Sequence, residues 1–499
     1  MKNILKISVL ATFLVVTAGC TGDFDDINTD PDAYTTVPTT NMLGEVLART
    51  ARQFGDDLPG LSLWSGYISN RMYIDDYSGY LPTNNTYGNK WYQCYYGHVQ
   101  LQDIVERTDE TNTKNMHNVA LLMQNYLLSL CTDCFGDIPY SEAFKGAPED
   151  GGVLQTPYDE QSEIYPQILS NLKDIADSWA TGLGTDDLGD GDFLYKGDVG
   201  KWQRFCNSLR LRLAIRISAV YSGSQGIVEE ILNNSSQYPI IEECDQNAYF
   251  WWQGSGDYFE RWFETFRTRT DYCMSEIFIN HLKEMDDPRL KVMAQPSEAD
   301  GEYRGGEHGY NSQNLPNMTN YSLIGTFYAG DPDGFSPFYK ACETYFMMAE
   351  AALNGWNVPM TAQDAYEKAV RLSMEDNEIS TEETEAYLAG KGKWDGTKDR
   401  LFFEQWVGLF KECTEAWSFY RRTGYPTYIQ TAVGSDGVTK QYPGAKSKWG
   451  TEHTDVPFRM PYPNNQYDYN RENVEAAAAS VTDYCWGKQM WWDTRTGVK

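Results

Sequence analysis

In seven stretches of this chain, residues 41–52, 115–134, 160–179, 201–221, 344–354, 362–374 and 402–420, apolar side chains recur at spacings of three and four. Such spacing gathers them on one face of an α-helix, so most of the regular structure is expected to be helical and the fold class mainly α. The chain has 499 residues and a mass of 56.9 kDa. That is ample for a sizeable core, either in several domains or in one large helical array. Apolar residues make up 41% and charged residues 22%, a balance that folds rather than remaining disordered.

Two of the helical stretches carry more detail. Ala349 and Ala352 lie in the first, and Ala362, Tyr366 and Ala369 in the second. Alternating small and aromatic residues at spacings of four and three match the second helix of a tetratricopeptide repeat, where small side chains let neighbouring helices approach closely. Between residues 241 and 337 the pattern changes to Trp251, Trp252, Tyr258, Trp262, Tyr303, Tyr310, Tyr321 and Tyr328 among Gly, Asn, Ser and Asp, with helical period only near 271–285. A second aromatic region runs from residue 64 to 96. Long irregular segments inside a helical body are usually functional.

The amino terminus sets the expected compartment. Lys2 and Lys6 precede an uncharged run over residues 7–16, and Ala18 and Gly19 stand directly before Cys20. This is a secretory signal, too short for a spanning helix, and its end resembles the lipobox of bacterial lipoproteins, with Thr17 where Leu is usual. Residues 1–19 are therefore expected to be a signal peptide, and Cys20 to be acylated. Each buried methylene contributes about 0.8 kcal/mol, so several acyl chains hold a protein on a membrane without any spanning segment. The acidic, Pro- and Thr-rich residues 20–40 read as a tether, and the folded body is expected from residue 41.

Asp and Glu number 71 against 41 Lys and Arg, a net charge of −30, which argues against nucleic acid and anionic headgroups as partners. No familiar catalytic motif is present. His98, His117, His281, His308 and His453 show no ligand spacing. Cys131 and Cys134 form a lone CxxC at the end of a helix, which reads as core rather than as a zinc or redox site. Acidic segments 185–192 and 330–335 lack the continuation an EF-hand requires and read as solvated loops. Arg204, Arg212 and Arg216 fall at i, i+4 and i+8, and in so acidic a chain they are expected to pair with carboxylates. No catalytic residue, metal or cofactor is assigned.

Tyr 35, Trp 15 and Phe 21 bring aromatics to 14%. A sugar ring has an apolar face edged by hydroxyls, which an aromatic platform flanked by planar polar side chains recognises. A glycosidase would need only two carboxylates about 5 to 9.5 Å apart, and 71 acids leave that open.

Eight segments in order complete the reading: FDDINTDPDAY (24–34), DCFGDIPYSEAF (133–144), YDEQSEIYPQIL (158–169), KWQRFCNSLRLRLAIRIS (201–218), DDPRL (286–290), ETYFMMAEAALNGW (343–356), EAWSFYRRTGYP (415–426) and FRMPYPNNQYDYN (458–470). Together they resemble the SusD/RagB family, the surface nutrient-binding lipoproteins of Bacteroidetes. The resemblance implies a tetratricopeptide-like helical scaffold, mainly residues 41–240 and 338–430, with long irregular ligand-binding loops over 241–337 and a C-terminal segment 431–499, all in one domain. It implies an outer-membrane, surface-exposed lipoprotein whose acidic Asp23, Asp25 and Asp26 look like the group's export signal. It also implies a SusC-like TonB-dependent transporter as partner and an oligosaccharide as ligand, without catalysis.

An oligopeptide-binding lid on a RagA-like transporter and a helical glycoside hydrolase are the alternatives. Some relatives hold calcium, but no ligand set for it is identifiable. Binding residues in this family follow no shared motif, so the candidates are positional. They are Trp64, Tyr67, Tyr73 and Tyr77 from the first aromatic region, Trp251, Trp252 and Tyr303 from the second, and Arg71 and Asn84 as polar partners. Trp91 and Tyr95, at i and i+4, are expected to pack.

Overall fold

A computed structural model describes residues 36–55, 60–73, 82–147, 151–307, 314–427, 431–433, 439–441 and 455–498. Helices dominate, and consecutive ones pack against each other in chain order. The first group is α1 (Thr39–Thr50), α2 (Asn84–Glu106), α3 (Lys114–Phe135), α4 (Gln161–Ala180), α5 (Val199–Arg216) and α6 (Ser224–Asn233). Within it α3 is central, because Val119, Leu122, Met123, Leu127 and Cys131 have no exposed surface. It ends at Gly136, whose φ of +80° a side chain would strain, and whose N–H donates to the Thr132 carbonyl at 2.8 Å.

Six of the seven expected helices are found as single helices, but two regions differ. α2 begins inside the stretch read as aromatic loop. Its Tyr87, Trp91, Cys94 and Leu101 are buried on one helical face, so aromatic spacing there was packing period. The single helix expected over residues 402–420 is instead two, separated at 409–412, where Lys411 takes φ +74°.

The second helical group is α7 (Arg261–Phe266), α8 (Glu276–Glu284), α9 (Ala341–Leu353), α10 (Ala362–Asp376), α11 (Thr381–Ala389), α12 (Lys398–Gly408) and α13 (Cys413–Thr423). α9 and α10, the two stretches with repeat-like spacing, pack on each other, with Ala349, Tyr366 and Ala369 fully buried. The Tyr366 hydroxyl donates to the Gly392 carbonyl at 2.6 Å. α12 packs on α9 through Gly408, where a Cβ would meet Phe346 at 3.0 Å.

Two short strand pairs tie the irregular segments to this frame. β1 (Ile68–Asn70) pairs antiparallel with β3 (Tyr272–Met274), setting Asn70 opposite Tyr272. β2 (Ala248–Trp251) pairs antiparallel with β4 (Phe335–Tyr339), setting Trp251 opposite Phe335. The first pair therefore joins the two aromatic regions of the sequence.

Buried charge holds the helices in register. Arg212 donates to both Glu343 oxygens, at 2.8 and 2.7 Å, and to Glu412, while Arg216 meets Asp133 and Glu415. Arg204 meets Glu242 at 3.1 Å. The arginine row of α5 is thus paired with carboxylates, as expected from the charge balance. Asp192, expected in a solvated loop, is buried instead and accepts from the Trp202 indole at 2.9 Å. Cys131 and Cys134 are buried and form no disulfide, and burial pushes both thiols up. Among the described residues no helix is long and apolar enough to cross a membrane.

Candidate functional site

The structure separates the nine predicted ligand residues sharply. Trp64 and Tyr67 have no exposed surface. The Trp64 ring meets Trp417 edge-on at 5.1 Å, and Tyr67 packs among Trp406, Phe278 and Phe410. They are core residues, because α12, α13 and α8 close over them. Arg71 is buried too, and its donors are spent on the Thr270 carbonyl at 2.9 Å, the Met318 carbonyl at 3.2 Å and the Thr270 hydroxyl. It braces β1 against residues 270 and 318 rather than facing a ligand.

Tyr73 is displayed as expected, 57% exposed, on a left-handed backbone with φ +58°. The Arg269 guanidinium sits 5.3 Å from its ring centroid and is itself held by Asp271 at 2.5 Å. Asn84 is half-buried, its Oδ1 accepting the Asn464 N–H at 2.9 Å. Tyr303 is half-buried, and its carbonyl accepts from Lys283 Nζ at 3.1 Å. Tyr77 and Cys20 lie outside the described residues.

Trp251, the last residue of β2, and Trp252, directly after it, diverge in exposure. Trp251 is 45% exposed and leans on Phe335 and Tyr249. Trp252 is only 3% exposed, so it is not a displayed platform. It nevertheless lines a cavity of 340 Å³. Its indole N–H donates to Ser336 Oγ at 2.7 Å, and Arg52 lies 5.8 Å over its ring. The same arginine donates to the Asp257 carbonyl at 2.7 Å. The ring is therefore fixed before any ligand arrives.

This cavity is assembled from three distant pieces of sequence. α1 supplies Asn41 and Glu45, residues 190–193 supply Asp190 and Phe193, and the segment after β2 supplies Trp252, Gln253 and Tyr258. Phe250 completes the aromatic wall, 5.0 Å from Trp252 and 5.8 Å from Phe193 between ring centroids. Gly191 makes the closure possible. Its N–H donates to Thr40 Oγ1 at 2.8 Å, and a Cβ there would lie 1.8 Å from the Thr40 carbonyl oxygen. Tyr258 stands at the mouth, 44% exposed, on a tight turn in which Gly254 donates to its carbonyl at 3.0 Å.

Aromatic walls with side-chain amides and carboxylates between them, and no cation in the lining, suit a neutral ligand with an apolar face and hydroxyl edges. Sequence reasoning found Trp252 but missed Phe193, Asp190, Asn41 and Glu45. The Gly191 to Thr40 approach, 151 positions apart, joins α1 to residues 190–193, and the Trp251 N–H, donating to the Phe193 carbonyl at 3.4 Å, joins those residues to the tryptophan pair. Among the described residues no cluster of three or more His, Cys, Asp or Glu could hold a metal ion.

Comparison with known proteins accounts for the whole architecture. A SusD-like family model described as "Starch-binding associating with outer membrane" matches residues 31–463. A comparison with curated proteins finds no match. Among solved structures, a SusD-like protein from Bacteroides thetaiotaomicron is 22% identical with a TM-score of 0.76, covering 93% of this chain and 100% of its own. A SusD homologue from Bacteroides uniformis is 24% identical with a TM-score of 0.76, covering 92% and 100%. A chitin-binding SusD homologue from Flavobacterium johnsoniae is 23% identical with a TM-score of 0.76, covering 92% and 98%. At these identities the structures speak for the fold, and the family model, spanning most of the sequence, speaks for descent: the chain belongs to the SusD-like family.

Proposed function

We propose that this protein is a lipoprotein of the outer-membrane surface, acylated at Cys20, that captures an oligosaccharide and hands it to a SusC-like TonB-dependent transporter without altering it. The observation that carries the saccharide reading is the Trp252 cavity, in which pre-fixed aromatic rings alternate with Asn41, Glu45, Asp190 and Gln253. Tyr73, with Arg269 beside it, and exposed Trp251 offer further stacking faces, and both aromatics are among the candidates from the sequence. The family description and the chitin-binding relative support the same ligand class.

Burial of about 50 to 100 Å² on one ring contributes about 1 to 2.5 kcal/mol before association costs, so two or three rings give a Kd between about millimolar and micromolar. That range suits capture followed by release. Calorimetric titration with maltotriose, cellotriose and tri-N-acetylchitotriose tests it. At least one should bind, and Tyr258→Ala with Gln253→Ala should weaken it about ten-fold or more. Binding of peptides alone, or release of reducing ends by the purified protein, would replace this reading with a peptide lid or a hydrolase. Labelled palmitate should enter the wild type and not Cys20→Ser. A TonB-dependent receptor should co-purify with the tagged chain from outer membranes.

A further inference from the structure

A larger cavity, 560 Å³, lies in the helical scaffold, away from the residues that build the Trp252 site. α3 and α4 form two of its walls, and residues 140–144 with His98 of α2 complete it. Asn171 is its hub. The Asn171 amide N–H donates to Asn125 Oδ1 at 3.0 Å and to the Tyr140 hydroxyl at 3.3 Å, and its Oδ1 accepts from Gln167 Nε2 at 2.8 Å. Asn125 in turn donates to the Leu121 carbonyl at 2.8 Å and is 95% buried.

These bonds orient every amide yet do not exhaust it. The Tyr140 proton, the second N–H of Asn125 and the Gln167 carbonyl have no partner among the described residues. Gln167 is exposed and Tyr140 half-buried, so their open groups meet solvent, where a ligand hydroxyl can replace water, whereas His98 Nδ1 is buried with no hydrogen-bond partner among the described residues. Beside the amides stands a ring wall. Phe144 takes a left-handed backbone, φ +65°, and stacks on His98 at 3.7 Å with an interplanar angle of 6°. Burial pushes the His98 imidazole down to about 3, so it is neutral here. The only charged side chains in the lining are Glu110 and Asp174, which disfavour an anion.

We propose that this groove is a second binding site, shaped for the ring of an uncharged saccharide. Its volume falls in the range of about 300 to 1,000 Å³ usual for small-ligand sites. Along α3, Asn118 and Gln124 each commit one amide N–H, to Ser178 Oγ and to Gln102 Oε1 at 3.0 Å, and leave the other open as Asn125 does. The ligand class rests on the saccharide reading above; the location does not.

Hydrogen-exchange mass spectrometry of the full chain tests it, with maltotriose, cellotriose and tri-N-acetylchitotriose each at about 10 mM, far above the weakest expected Kd. At least one sugar should slow exchange of residues 137–147. The protection should persist in Tyr258→Ala and disappear in Tyr140→Phe combined with Gln167→Ala, whose melting temperature should match the wild type. No slowing with any sugar, slowing that survives the double variant, or slowing by an alanine tripeptide overturns the proposal. If residues 137–147 stay unprotected while Tyr258-dependent binding remains, this site alone fails. If they are protected while Tyr258→Ala changes nothing, the Trp252 cavity alone fails.

Discussion

The Tyr67 hydroxyl donates to the Trp406 carbonyl at 2.7 Å, and the two rings stack at 5.6 Å with an interplanar angle of 13°. Burial raises the Tyr67 phenol well above its ordinary pKa, so it stays a donor at every physiological pH. The pair clamps the segment leading into β1 onto α12 across 339 positions of sequence.

Tyr67 should therefore answer to stability and not to ligand. Tyr67→Phe leaves a buried carbonyl with one partner fewer and should cost about 1 to 3 kcal/mol. Tyr67→Ala removes the ring as well and should cost about 3 to 5 kcal/mol. Urea denaturation measures both losses. Saccharide affinity of Tyr67→Phe, titrated at a temperature where it is fully folded, should equal the wild type; an affinity loss would return this residue to the binding surface.

Trp251, the last residue of β2, and Trp252, directly after it, give a control between neighbours. Trp252→Ala removes a ring with 3% exposure and should lower stability by about 3 to 5 kcal/mol. Trp251→Ala, at 45% exposure, loses only its contacts with Phe335 and Tyr249 and should cost about 1 kcal/mol. Thermal melts of the two variants in parallel decide it. Equal shifts would mean that the two rings are not buried to the different extents described.

What could be read locally was read correctly from the chain, and what depended on distant partners was not. α3 through α5 show a three-and-four spacing strong enough to survive any context. α2 was hidden because its buried face is built from Tyr87, Trp91 and Cys94 among Asn84, Asn85 and Gly88, residue types that imitate a loop. The break between α12 and α13 was hidden because Lys411 leaves the helix to reach Glu260 at 3.0 Å, a partner 151 residues away. Exposure is the least local property of all. Trp64, Tyr67 and Tyr73 look alike in sequence, and the positions of α8, α12 and α13 bury the first two and leave the third in solvent.

Arg212 should be among the most costly residues to alter. It satisfies Glu343 and Glu412 together, donates to the Phe338 carbonyl at 3.0 Å and sits 4.4 Å over the Tyr339 ring. Burial drives the Glu343 carboxyl well above the usual carboxylate range, against the pull of Arg212. Arg212→Met strands two buried acids and should cost about 3 to 5 kcal/mol. Arg212→Lys should recover only part, since Nη2 meets both carboxylates while Nη1 holds the Phe338 carbonyl, and a single ammonium does not replace both nitrogens. The denaturation midpoint should shift without a change in slope, and added salt should not alter the difference, because the pair is shielded from solvent.

Acid should weaken the fold through its buried imidazoles. Burial lowers His98 to about 3 and His281 to about 4, from an ordinary value of 6.5. In the folded chain both stay neutral at pH 5, whereas in the unfolded chain both are largely protonated. The unfolded state then binds more protons, so the contribution is complete above about pH 6.5 and is lost as pH falls towards the folded values. At pH 5 the loss is set by the 1.5 units separating the unfolded pKa from the solution, about 2 kcal/mol for each histidine. His98→Phe keeps a flat ring on Phe144 and removes the titration. Its stability should fall by about 2 kcal/mol less than that of the wild type between about pH 7.5 and pH 5, as read by urea denaturation at the two values. Parallel losses in the two proteins would show that His98 is already charged in the fold. The carboxylates, common to both proteins, cancel from this comparison.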